Sequence, residues 1–223
     1  GIAKALHEHG ATVGFSSVES LIEKRVRPLA DSIGSTFVEP CDVQSDEQIR
    51  AVMTKWKRAH GEVDILVHAL AFAKREDLDG EFVTTSRDGW ALAMDVSAYS
   101  LVAMAREARE AGILKRGSSI MTLSYYGAEK VVMNYNVMGV AKAALESLGA
   151  FASVERKLAI GASAAQAAQY EGRIADLLIQ MMRAWWAKIG HGNAGGVTAL
   201  FFHAGFGLGL VFHGQDGVGD GHV

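Results

Sequence analysis

Residues 63–70 (VDILVHAL) form a nearly unbroken apolar run of strand length, with none of the strict alternation of a half-solvated strand. Such a strand is stable when side chains are covered on both faces, which requires helices above and below a largely parallel sheet. The rest of the first 150 residues fits that demand, because helical and strand patterns alternate with short breaks between them. Residues 11–15 (ATVGF), 36–39 (TFVE) and 118–124 (SSIMTLS) read as further strands. Residues 1–9, 87–110 and 134–152 read as helices. Another helix carries Ile22, Val26, Leu29 and Ile33 at helical spacing and is bent by Pro28. Ser45 and Gln48 make a capping-box pair ahead of a helix that ends before Gly61 and has one apolar face, Ile49, Val52, Met53 and Trp56. The expected fold class is α/β, a doubly wound Rossmann-like parallel sheet with helices on both faces. The 223 residues are expected to make one dinucleotide-binding domain.

Composition narrows the partners. A net charge of −3 gives no electrostatic footprint for nucleic acid or an anionic membrane. No run of apolar residues is long enough to span a bilayer. The single cysteine, Cys41, excludes an intramolecular disulfide and suits a reducing compartment, so a cytoplasmic protein is expected. Cys41 itself reads as a small core residue. His203, His213 and His222 lie in a glycine-rich tail without the neighbouring acids or thiols of a metal site, and no metal is expected.

A sheet of this kind binds its ligand beyond the carboxyl ends of its strands. Three segments occupy such places: Asp42 and Val43, the run HALAFA at 68–73, and Ser124-Tyr125-Tyr126. Tyr135 and Lys142 are seven residues apart, about two helical turns, and so share a helix face. A nearby ammonium favours phenolate character in a tyrosine. Two phenols and an ammonium at a strand-end crevice suit the stabilisation of an enolate oxygen during hydride transfer.

The run LSYYGAEKVVMNYNVMGVAKAALE (123–146) resembles the active-site segment of the bacterial NADH-dependent enoyl-acyl-carrier-protein reductases, a divergent branch of the short-chain dehydrogenase/reductase superfamily. That family's tyrosine, nine residues, tyrosine, six residues, lysine pattern falls on Tyr125, Tyr135 and Lys142. The likeness extends over residues 1–148 through GIAKALHEHGA, RVRPLA, CDV, HALAFA, DLDGEFV and DVSAYSLVAMA. It implies that Tyr135 hydrogen-bonds a thioester carbonyl, that Lys142 holds the nicotinamide ribose, and that Tyr125 orients the substrate. It also implies cofactor contacts from Gly1, Asp42, Val43, Ala69, Leu70 and Ala71, and substrate contacts from Phe72, Ala73 and Met138. NADH is the implied cofactor, with NADPH left open. The implied substrate is an enoyl thioester on acyl carrier protein, reduced during fatty-acid elongation by a homotetramer.

Two rival readings stay open. Tyr126 and Lys130 satisfy the ordinary Tyr-x-x-x-Lys signature of alcohol and 3-oxoacyl members, but Ile113 stands where that signature needs serine; counted from Tyr135, the lysine position is Gly139. A non-catalytic or damaged scaffold of the same fold is the other, favoured by three departures from the family pattern. The first strand and most of the phosphate loop have no counterpart, so weak dinucleotide binding is expected. Val18 stands where many relatives carry glutamine. From about residue 149 the match ends. There, Ile174, Leu177, Leu178, Met181 and Met182 form an apolar stripe, Trp185 and Trp186 follow, and residues 196–217 loosely resemble the family's last helix and strand.

Overall fold

The computed structural model describes residues 1–154, 159–161 and 198–203. In chain order these form α1 (Ile2–Glu8), β1 (Thr12–Ser17), α2 (Glu19–Leu21), a π-helical turn (Ile22–Val26), α3 (Arg27–Ser32), β2 (Val38–Pro40), α4 (Asp46–His60) and β3 (Val63–Ala69). There follow α5 (Arg87–Met94), a second π-helical turn (Asp95–Tyr99), α6 (Ser100–Glu110), β4 (Leu114–Thr122), α7 (Asn136–Val154), β5 (Ala159–Gly161) and β6 (Thr198–His203). The strands build one sheet in the order β2-β1-β6-β3-β4-β5, with every pairing parallel.

β3 shows why its sequence is apolar throughout. Leu66 and Leu70 pack with α4 and α6 in the larger core, beside Trp56, Met53, Leu101 and Met104. Ile65 and Val67 point the other way, into a second core with Leu6, Val26, Ala30 and Ile33. Alternate side chains of one strand thus serve two helical layers.

The local signals hold with adjustments. Ser45 Oγ accepts from the Gln48 N–H at 3.3 Å, but the Gln48 side chain accepts from the Asp42 N–H, so the box closes on one side and ties the β2–α4 loop on the other. Pro28 sits in the first turn of α3, after the π-turn, where its missing N–H costs little. Leu29 is exposed rather than part of the buried face. The helix expected over 87–110 is interrupted by the π-turn at Asp95–Tyr99. Between β1 and β3, where the family pattern places its first strand, the structure places β6. The stripe at 174–182, Trp185, Trp186, His213 and His222 lie outside the described residues.

Candidate functional site

Tyr125 lies in the loop after β4, and Tyr135 immediately precedes α7. Their rings meet with centroids 4.9 Å apart, inclined at 59°. Asn134, next to Tyr135, adopts φ 60°, a left-handed conformation that asparagine tolerates better than most residues. The start of α7 is tied down by the Asn136 side chain, which donates to the carbonyls of Asp79 and Gly80. Helix α7 then comes close to the loop that holds Tyr125 and Tyr126. A Cβ at Gly139 would stand 2.7 Å from the Gly127 carbonyl oxygen, so the lysine position counted from Tyr135 has no room for a side chain.

Lys142 is buried, and its Nζ donates to the carbonyls of Leu123 at 2.8 Å and Leu70 at 3.2 Å. Those carbonyls lie just past the carboxyl ends of β4 and β3. The ammonium is therefore set where the two strands release their chains, two residues before Tyr125. Burial pulls the Lys142 pKa down to about 8, while Glu146 one turn along partly opposes the shift. Ser124 Oγ in turn donates to the Glu146 carboxylate. Tyr135 departs from the phenolate tendency inferred from its spacing to Lys142. Burial, reinforced by Tyr125, pushes it above the ordinary tyrosine range, so it is a neutral phenol and a hydrogen-bond donor. Desolvation outweighs an ammonium roughly 10 Å along the helix.

A cleft of about 160 Å³ opens at the carboxyl ends of β1, β3 and β6. Asp42, Val43 and Leu70 line it together with Ser16, Ser17, Cys41, Phe72 and Phe202. Ser16 and Ser17 are buried; Ser16 lies beside the Cys41 thiol, and the Ser17 Oγ has no hydrogen-bond partner among the described residues. Burial raises the Cys41 thiol to about 12, so it is not a nucleophile at neutral pH. Leu70 joins the two places, lining the cleft while its carbonyl holds Lys142.

Other residues singled out in the sequence fall unevenly. Phe72, expected on the substrate side, lines the cleft with Asp42 instead. Met138 is buried in a small apolar cluster with Tyr135 and Ala141, against which Ala71 and Ala73 pack. Ala69 ends β3 and is in register with His203 of β6. Gly1 caps α1, is exposed and does not line the cleft. Tyr126 and Lys130 lie on an exposed turn, joined by a backbone hydrogen bond. Ser16, Ser17 and Phe202 were not singled out from the sequence. Two consecutive serines at a strand's carboxyl end are the signal that could have found the first two.

A family model described as enoyl-(acyl carrier protein) reductase matches residues 1–159. Among curated proteins, the chain is 48% identical over 149 residues to the Bacillus cereus enoyl-[acyl-carrier-protein] reductase [NADH] FabI, covering 66% of this chain and 57% of that one. The Aquifex aeolicus protein of the same name is 48% identical over 147 residues, covering 66% and 54%. The chain thus spans just over half the length of these relatives. Among solved structures, the Bacillus cereus reductase with NADP+ and an indole naphthyridinone aligns with a TM-score of 0.66 at 46% identity, covering 72% of this chain and 64% of that one. The Anaplasma phagocytophilum reductase in complex with NAD aligns with a TM-score of 0.65 at 42% identity, covering 69% and 58%. The matched stretch contains both tyrosines, Lys142 and most of the cleft, and on it the chain belongs to the enoyl-(acyl carrier protein) reductase family.

Proposed function

We propose that this chain is an NADH-dependent reductase of the trans-2 double bond in enoyl thioesters carried on acyl carrier protein, the reductive step that closes each round of fatty-acid elongation. The observation that carries this reading is the continuity at Leu70, which joins the cleft at the strand ends to a buried ammonium beside two phenols in ring contact. We assign this cleft to part of the adenosine half of the dinucleotide, from its place at the carboxyl ends of the strands. The buried hydroxyl of Ser17, which has no side-chain partner among the described residues, would offer itself to a ribose oxygen, and Asp42 and Val43, which line the cleft, would bracket the base. Among the described residues, Asp42 is the one charged side chain lining it, which disfavours the extra phosphate of NADPH and supports NADH.

When bound, the nicotinamide supplies a hydride to the β-carbon of the enoyl chain. Lys142 holds the ribose hydroxyls through the donor capacity left beyond its two carbonyl bonds. Tyr135, kept neutral by burial, donates its phenolic proton in a hydrogen bond to the thioester oxygen and stabilises the enolate charge that develops there. Tyr125, against whose ring Tyr135 packs, orients the carbonyl, and Met138 faces the acyl chain. We extend the proposal to a homotetramer acting in the cytoplasm.

The test is loss of NADH absorbance with a crotonyl thioester, paired with NADH fluorescence on binding. Turnover by the wild-type chain, with NADH affinity weakened by Lys142→Ala, is the expected result. A folded chain that neither turns over nor perturbs NADH fluorescence would instead be a non-catalytic member of the family.

A further inference from the structure

The π-helical turn between α5 and α6 brings two serines, Ser97 and Ser100, against the sheet, and both are fully buried. Such a turn shifts the helical register and so re-aims side chains that a continuous helix would direct elsewhere. Ser97 Oγ accepts from the Phe72 N–H at 2.9 Å and donates to the Phe72 carbonyl at 3.0 Å, clamping the segment that follows β3. Ser100 Oγ donates to the Val96 carbonyl at 2.7 Å. Its one proton is thereby committed, so its 2.8 Å contact with His68 is donated by His68 Nε2–H. His68 Nδ1 then accepts from the Thr122 hydroxyl at 2.9 Å. Burial, together with the nearby Lys142, holds the imidazole neutral, with a pKa near 3.

The ladder has a direction and two ends. Thr122 directly precedes Leu123, His68 stands two residues before Leu70, and Phe72 two residues after it. Its members therefore flank, in sequence and in space, the two carbonyls that receive the Lys142 ammonium. We propose that Ser97 and His68 are positioning residues which, with Thr122 and Ser100, fix the Leu70 and Leu123 carbonyls and so place the ammonium. The consequence for cofactor affinity rests on the role given to Lys142 above; the placement itself does not.

The experiment uses the full chain carrying Ser97→Ala. A short pulse of acetic anhydride near pH 7, followed by peptide mass spectrometry, reads the acylation of Lys142 against exposed Lys4. Loss of the clamp is expected to raise Lys142 labelling roughly fivefold or more relative to Lys4, as for residues coupled through shared contacts. NADH affinity, read by fluorescence, is expected to fall by a similar factor, and Ser97→Ala combined with Lys142→Ala is expected to bind NADH no more weakly than Lys142→Ala. Unchanged labelling of Lys142, or additive losses in the double variant, would overturn the proposal. If Lys142→Ala leaves NADH binding intact, the cofactor role fails while the labelling ratio still decides the placement. Should Ser97→Ala fail to fold, isosteric Thr122→Val removes the donor to His68 and is expected to raise labelling in the same direction; no rise would count against the ladder.

Discussion

Lys142 shows how a charge can be kept inside a protein and what that costs. Its two carbonyl acceptors replace part of the lost water, yet its pKa still falls from 10.5 to about 8. Between about 8 and 10.5 the unfolded chain binds more protons at this group than the folded one, so this residue makes stability rise with pH across that window. Below about 8 it is a constant cost to folding. Urea midpoints from about pH 7.5 to about 9 should show the rise, and Lys142→Met should flatten it; above about 9 the buried Cys41 thiol, raised to about 12, stays protonated only in the folded chain and opposes it. NADH affinity should run the opposite way, weakening as pH climbs through about 8, because deprotonation removes the charge and a donor from the ribose-binding amine. Tyr125, Tyr135 and Lys142 were legible in the sequence from motif spacing. The neutrality of Tyr135 was not, because its burial depends on Ala71, Leu78 and Met94, residues of separate segments that only the fold brings against Met138 and Ala141 of α7.

At the scale of elements, the strands and their helices follow from period and punctuation, while the irregularities do not. The π-turns at Ile22–Val26 and Asp95–Tyr99 leave no apolar signature of their own, since each is a single turn and the helical segments on either side keep their own period. Tertiary hydrogen bonds, such as those of Ser97 with Phe72, accompany the second of them. Close packing between β1 and α4 is likewise invisible in a window. Phe37 and Trp56 meet edge to face with centroids 5.1 Å apart, and Gly14 lies beneath them. A Cβ at Gly14 would stand 2.5 Å from Trp56 Cζ3 and 2.9 Å from Phe37 Cδ1. Overpacking of that kind costs about 1–3 kcal/mol, and Gly14→Ala should lose that much stability in urea unfolding.

The whole molecule depends on a strand drawn from the far end of the chain. β6 lies between β1 and β3, in register from Thr12↔Thr198 to Ser17↔His203 on one side and from Ile65↔Ala199 to Ala69↔His203 on the other. Leu200 and Phe202 are buried in the larger core, and Phe202 also lines the cleft. A parallel sheet was legible from the alternation of elements, but the place of β6 was not. Strand order is a matter of long-range pairing, and a short apolar run such as TALFFH fits any interior position. Phe202→Ala should cost about 3–5 kcal/mol by leaving a cavity in the centre of the core, and should weaken NADH binding at the same time. The central claim, that the phenol of Tyr135 and not that of Tyr126 meets the reacting carbonyl, is tested most directly by turnover of a crotonyl thioester in two variants. Tyr135→Phe should lower kcat about 100-fold or more, the scale of losing one donor to a developing oxyanion, while Tyr126→Phe leaves it within about twofold. Full activity in Tyr135→Phe together with a large loss in Tyr126→Phe would contradict the account.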